Sequence, residues 1–208
     1  MISVATRIVH IVDDDESFSR ATARSLKASG YTVELYVSAT DFLARRQHEA
    51  RGCVLADLQM PGPSGLELQT ALATADNPLP VIFLTGTGDI PSTVIALKGG
   101  AEDFLTKPVL LADLVNAVDR ALARDEQAAA RRTREAAMRE RFQRLTARET
   151  EVLRHVIAGR LNKEIGDRLS ATERTIKAHR AAIMDKLGAG SPAELGRMTE
   201  ELGVQPLH

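Results

Sequence analysis

Val54-Leu55-Ala56-Asp57-Leu58-Gln59-Met60-Pro61-Gly62, residues 54–62, runs an apolar segment into an aspartate and then into a turn. With Cys53 ahead of it, the segment has four apolar residues in succession. That reads as a strand buried on both faces, the habit of a parallel sheet. The pattern recurs along the chain. Ile11-Val12 runs into Asp13-Asp14-Asp15, Val81–Leu84 into Thr85, and Asp103-Phe104-Leu105 into Thr106-Lys107-Pro108. Open parallel sheets carry their working residues at the C-terminal ends of their strands. Folding therefore gathers Asp13, Asp14, Asp57, Thr85 and Lys107 into one pocket.

Outward from these strands the first half alternates strand and helix signals. Strands are expected at Arg7–Val12, Tyr31–Tyr36, Cys53–Ala56, Leu79–Leu84 and Asp103–Leu105. Helices are expected at Glu16–Ser29 (with Phe18, Ala21 and Ser25/Leu26 inward), Ala39–Arg46 and Leu66–Ala75. A fourth is capped by Asp89, has Pro91 in its first turn and stops at Gly99-Gly100. In the last, Leu110, Leu111, Leu114, Val115, Val118 and Leu122 mark one apolar face. Strict βα alternation predicts an α/β fold with a five-stranded parallel sheet covered on both faces. The flavodoxin-like order 2-1-3-4-5 is the candidate topology.

Three carboxylates at neighbouring strand ends repel one another unless a cation sits among them. A hard cation such as Mg²⁺ suits all-oxygen donors: Asp13, Asp14, Asp57 and the main-chain carbonyl of Gln59. Such a site orients a phosphoryl group for attack by an Asp57 oxygen. Lys107 supplies positive charge, and the Thr85 hydroxyl can donate to a phosphoryl oxygen. Gln59 and Thr87 flank the pocket, where they would tune attack by water. His10, inside the first strand, and Phe104, in a short strand, each have an ordinary packing role available.

The whole chain has 208 residues, 44% hydrophobic content and a formal net charge of −1. That figure hides an asymmetry. Residues 1–125 carry 16 Asp+Glu against 11 Lys+Arg, and residues 126–208 carry 12 against 16. An acidic front and a basic rear suggest two domains with different partners. The single cysteine, Cys53, excludes an intrachain disulfide and reads as a small core residue. No signal-peptide pattern and no apolar stretch near the roughly 20 residues of a membrane span is present, so a cytoplasmic protein without a membrane partner is expected.

Residues 119–144 lack Gly and Pro and are rich in Ala, Arg and Glu. This predicts a helix continuing the last one of the first half, without a broad apolar stripe. Beyond it the chain reads as small and all-α. Thr146 and Glu149 form a capping box, and Val152, Leu153, Val156 and Ile157 face a core. Asn162 is expected to cap a short helix with Ile165 and Leu169 inward. After a turn at Ser170-Ala171, Thr172 caps a longer helix reaching Leu187, with Ile176, Ile183 and Leu187 inward. A last helix starts at Pro192, with Leu195 and Met198 inward. Two helices joined by a tight turn make a helix-turn-helix. Arg174, Lys177 and Arg180 give the second a basic outer face suited to the major groove.

VDDD, DLQMPGPSGLEL, FLTGTGD and AEDFLTKP place residues 5–122 in resemblance to the receiver domain of bacterial two-component response regulators. The resemblance implies that Asp57 is the phospho-acceptor. It implies that Asp13 and Asp14 hold Mg²⁺ (Asp14 the more direct ligand), that Lys107 contacts the phosphate, and that Thr85 and Phe104 form a switch pair. The peptide before Pro108 is commonly cis in that family. LTARETEVLRHVIAGRLNKEIGDRLSATERTIKAHRAAIMDKLGAGSPAEL, within the four-helix domain at 144–208, resembles the LuxR-type helix-turn-helix domain. By that resemblance Thr172–Leu187 is the recognition helix. Lys177, Ala178, Arg180 and Ala181 stand at base-reading positions, with Asn162, Lys163, Thr172 and Thr175 on phosphates. Glu149 and His179 are structural. Gly166 stands where alanine is usual, which weakens its helix by about 1 kcal/mol.

Receiver, linker helix (123–143) and LuxR-type domain together resemble the NarL/FixJ class, and the FixJ subgroup most. The function implied is transcription regulation, with activation favoured, switched by phosphorylation of Asp57. The partners implied are a sensor histidine kinase, promoter double-stranded DNA, RNA polymerase and a second copy of the chain on phosphorylation. The chain is not read as an enzyme beyond slow autodephosphorylation. A slow Mg²⁺-dependent phospho-aspartate hydrolase and a phosphorylation-controlled protein-interaction adaptor stay open as alternatives.

Overall fold

The computed structural model describes residues 8–47, 50–86 and 90–206. The expected strand start at Arg7, the cap at Asp89 and the pocket neighbour Thr87 lie outside the described residues. The chain divides into two compact units, Met1–Ala128 and Ala129–His208.

In the first unit, five parallel strands stand in the order β2-β1-β3-β4-β5. They are β1 (Ile8–Val12), β2 (Thr32–Tyr36), β3 (Cys53–Asp57), β4 (Val81–Thr85) and β5 (Asp103–Thr106). This is the expected doubly wound order. Alternation along each strand divides the core in two. Val9, Ile11, Cys53, Leu55, Ile82 and Leu84 face α1 (Glu16–Ala28) and the start of α5 (Leu111–Gln143). Val12, Val54, Ala56, Val81 and Phe83 face α2 (Ala39–Arg45), α3 (Gly65–Ala73) and α4 (Ile90–Lys98). Cys53 is fully buried, as a core residue should be. So is His10, its ring edge-on to Phe42 and tilted to Tyr36.

Two helix faces differ from expectation. In α1 the buried stripe is Ser19, Thr22, Ala23 and Leu26, while Ala21 is exposed. Leu26 is the anchor, and counting back three, four and seven residues gives the other members. In α5 the stripe is Leu114, Ala117, Val118, Ala121 and Asp125. Leu110 precedes the helix and Leu111 starts it, and both are exposed. Asp125 is buried because it is paired: its Oδ2 accepts from Arg51 Nε at 2.7 Å and from the Gly52 N–H at 3.0 Å. A side chain at Gly52 would collide with the Ile8 carbonyl, so the chain passes β1 there as bare backbone.

The second unit is built on α6 (Ala147–Ile157), α7 (Asn162–Leu169), α8 (Glu173–Leu187) and α9 (Pro192–Glu201). Val152, Leu153, Ile165, Ile176, Ile183, Leu187, Leu195 and Met198 form its core, all at expected inward positions or beside them. Met138 and Phe142, from the end of α5, pack on the same core. Arg141 donates to the Leu187 carbonyl at 3.2 Å. The end of the helix read as a linker is thus built into the second unit. Asn162 is the first residue of α7, not its cap. Leu161 holds the cap position, and its N–H donates to Glu164 at 2.8 Å.

Candidate functional site

The pocket is assembled by parity. Asp13 continues the alternation of Val9 and Ile11, Asp57 that of Cys53 and Leu55, and Lys107 that of Leu105. All three arrive from the sheet face that α1 and α5 cover. The Lys107 Nζ lies 2.6 Å from Asp13 Oδ2 and 3.0 Å from Asp57 Oδ2. Lys107 is fixed from behind: its N–H donates to the Thr85 carbonyl at 2.7 Å, and its peptide with Pro108 is cis.

Asp13 is 2% exposed, Asp57 half-buried and Asp14 exposed. Burial pushes the Asp13 carboxyl up, against the hydrogen bond from Lys107 that holds it down. Burial alone would lower the Lys107 pKa, but the hydrogen bonds to Asp13 and Asp57 outweigh it and hold that pKa up. One ammonium therefore pairs with two carboxylates, and Asp14 adds a third negative group to the cluster. Among the described residues, oxygens of Asp13, Asp14 and Asp57 come within 4.8 Å of one another, the one such cluster of metal-ligating side chains. An all-oxygen, net-negative donor set fits a hard divalent cation.

The loop after Asp57 is held by features that chain order did not reveal. The Gln59 N–H points back to Asp57 Oδ1 at 3.3 Å. Ser64 and Glu67 form a capping box at the head of α3, and the S-x-x-E spacing was its signal. Gly65 lies directly against Asp57: a Cβ there would stand 2.3 Å from the Asp57 carbonyl oxygen and 2.9 Å from Phe83. No side chain fits at this point, so helix α3 can approach the end of β3 only through glycine.

Thr85 comes from the opposite sheet face, in phase with Val81 and Phe83, and is buried. Phe104 pairs in register with Phe83, their ring centroids 6.3 Å apart, and is half-buried on that same face. The two are thus neighbours on one face of adjacent strands.

In the second unit, Lys163, Thr172, Arg174, Thr175, Lys177, Ala178 and Ala181 are exposed, and Asn162 and Arg180 half-buried. The basic groups are not idle. Arg180 Nη1 donates to Asn162 Oδ1 at 3.0 Å, tying α8 to α7. Lys177 pairs with Glu173 one turn back at 3.1 Å. Thr172 caps α8 through the Thr175 N–H, with the two hydroxyls 2.8 Å apart. Glu149 accepts from the Thr146 N–H and from Lys186 of α8 (2.6 and 2.8 Å). The Lys186 hydrogen bonds hold its carboxyl below the usual carboxylate range. Gly166 is buried, and a Cβ there would lie 2.6 Å from the Ala171 carbonyl. It is thus a close-approach residue of the turn, which corrects its reading as a weak point of the helix.

Comparison with known proteins agrees with this geometry. Residues 9–119 match the response regulator receiver domain family, and residues 143–199 the luxR family of bacterial regulatory proteins. Nodulation protein W of Bradyrhizobium diazoefficiens is 38% identical over 97% of this chain and 88% of its own. The transcriptional regulatory protein FixJ of Rhizobium meliloti is 38% identical over 95% and 97% respectively. Among solved structures, the response regulator StyR superposes with a TM-score of 0.82 at 39% identity, covering 95% of this chain and all of that one. A receiver-type pocket in one unit, a helix-turn-helix in the other and relatives alike along their whole length place the chain in one family: it belongs to the NarL/FixJ class of two-component response regulators.

Proposed function

We propose that Asp57 accepts a phosphoryl group from a sensor histidine kinase and that this modification controls DNA binding by the second unit. The observation that carries the reading is the Lys107 ammonium bridging Asp13 and Asp57 at hydrogen-bond distance. A positive group already stands beside the acceptor oxygen, where a phosphoryl dianion would need it. Asp13, Asp14, Asp57 and the Gln59 main-chain carbonyl would hold Mg²⁺. When bound, the cation supplies charge neutralisation for the incoming phosphoryl oxygens. Thr85 then donates to a phosphoryl oxygen, and Phe104 follows it as the second half of a switch. Hydrolysis of the phospho-aspartate is slow.

In the functional division we propose, 5–122 is the receiver, 123–143 the connecting helix and 144–208 the DNA-binding domain. Lys177, Ala178, Arg180 and Ala181 face bases, with Arg174 beside them. Lys163, Thr172, Thr175 and Asn162 meet phosphates. Phosphorylation favours a homodimer that binds two half-sites of promoter DNA and contacts RNA polymerase. No helix among the described residues is long and apolar enough to cross a membrane, in keeping with work in the cytoplasm. The test is acetyl phosphate with Mg²⁺, followed by intact mass, gel filtration and promoter binding. The native chain gains one phosphoryl group, dimerises and binds more tightly, and Asp57→Asn does none of these. Identical behaviour of the two proteins overturns the reading.

A further inference from the structure

We infer that Phe18 is a positioning residue for phosphoryl transfer: its ring face is the third wall that holds the Lys107 ammonium at the acceptor aspartate. The Lys107 Nζ stands 4.2 Å from the centroid of the Phe18 ring, inside cation–π range. The same nitrogen touches Asp13 and Asp57. Phe18 lies on the first turn of α1, half-buried, and packs on the sheet face from which Asp13, Asp57 and Lys107 all emerge. Its main chain is anchored at the head of the helix, where the Phe18 N–H donates to Asp15 at 3.0 Å.

The chemistry gives this wall a purpose. A lysine ends in a compact charge on a flexible four-carbon stem. Two carboxylates alone leave the ammonium free to follow whichever of them a metal ion or a phosphoryl group has not yet claimed. An aromatic face attracts the same charge without competing as a ligand for either. The ammonium therefore keeps its station while Asp57 changes from carboxylate to acyl phosphate. In that step an Asp57 oxygen bonds to phosphorus as the bond from phosphorus to the leaving oxygen breaks. With acetyl phosphate, acetate departs with the electron pair and no proton is required.

This inference rests on Asp57 being the acceptor, and the experiment separates the two. The rate of phosphoryl gain from acetyl phosphate is followed by intact mass in the full chain and in the Phe18→Leu, Phe18→Met, Phe18→Tyr and Phe18→Trp variants. Leu and Met keep apolar bulk without a ring face, and two such variants guard against one failing to fold. Both are expected to react about three- to tenfold more slowly, and Tyr and Trp within about twofold of the native chain. The Phe18→Leu change is then repeated on Lys107→Ala, where it should alter the rate by less than about 1.5-fold, because the wall has nothing left to hold. The chain contains no tryptophan, so Phe18→Trp also gives a lone fluorophore beside Lys107. Its emission should change on removal of the ammonium by Lys107→Ala. Native rates in Leu and Met, or an equal slowing by Phe18→Leu with and without Lys107, overturn the inference and leave the phosphorylation reading intact. A native chain that gains no phosphoryl group overturns both.

Discussion

The receiver pocket and helix α8 both present charge, and they hold it in opposite ways. Lys107 is half-buried and Asp13 buried, and their positions follow from strand order and parity. Lys177 and Arg180 sit at or near the surface, each satisfied by a near neighbour, Glu173 and Asn162. The difference is one of replaceability. A surface pair such as Lys177–Glu173 contributes a few tenths of a kcal/mol and is released at little cost when a phosphate or base competes. An ammonium removed from between two carboxylates, one of them buried, leaves negative charge without its partner. The receiver gives up stability to hold a fixed charge, while the helix keeps its charges exchangeable.

The contrast can be broken in order of expected effect. Lys107→Ala should cost about 3 kcal/mol of receiver stability, and millimolar Mg²⁺ should restore much of it by taking over neutralisation. Chemical denaturation with and without the metal measures this. A loss under about 0.5 kcal/mol would make the pocket no different from the surface. Arg180→Ala should do the reverse, weakening specific promoter binding by about 10- to 100-fold, the range for a lost base contact. Its unfolding midpoint should stay nearly unchanged. A large fall in stability with unaltered binding would recast Arg180 as a strut between α7 and α8.

Asp125→Ala tests the contrast away from any chemistry. It strips the buried partner from Arg51 and the Gly52 N–H, and should cost about 2 kcal/mol with phosphoryl uptake per folded molecule unchanged.

Smaller effects sharpen the picture in the second unit. The folded-state pKa of Glu149 is depressed by Lys186. Its contribution is therefore present above the ordinary carboxylate pKa and is lost as pH falls through the depressed value. Melting of the second unit should weaken on acidification below the usual carboxylate range, and Glu149→Gln should flatten that slope. Gly166→Ala is the smallest. Helix propensity alone predicts a gain of about 1 kcal/mol. The 2.6 Å approach to the Ala171 carbonyl predicts a lower melting midpoint instead.

These cases also mark how far the chain could be read unaided. The pocket residues were legible because each closes an apolar run, and run, turn and order survive in one dimension. In the second unit α6 and α8 were legible through their caps: Thr146 and Thr172 each accept from the N–H three residues on. Gly65, Gly166 and the Asp125–Arg51 pair were not, since their meaning is a close approach between segments far apart in sequence. Leu110 and Leu111 misled because periodicity reports an apolar face but not where the sheet stops covering it.

Strand and helix order, the acidic cluster with its lysine, and the basic rear half were determined by the sequence, because apolar periodicity and chain order depend only on neighbours. Tertiary structure decided the rest. It put the Lys107 ammonium between two carboxylates and against a ring, tied Arg180 to Asn162, and built Met138 and Phe142 into the second core. Each depends on distances across the fold, and only packing sets those.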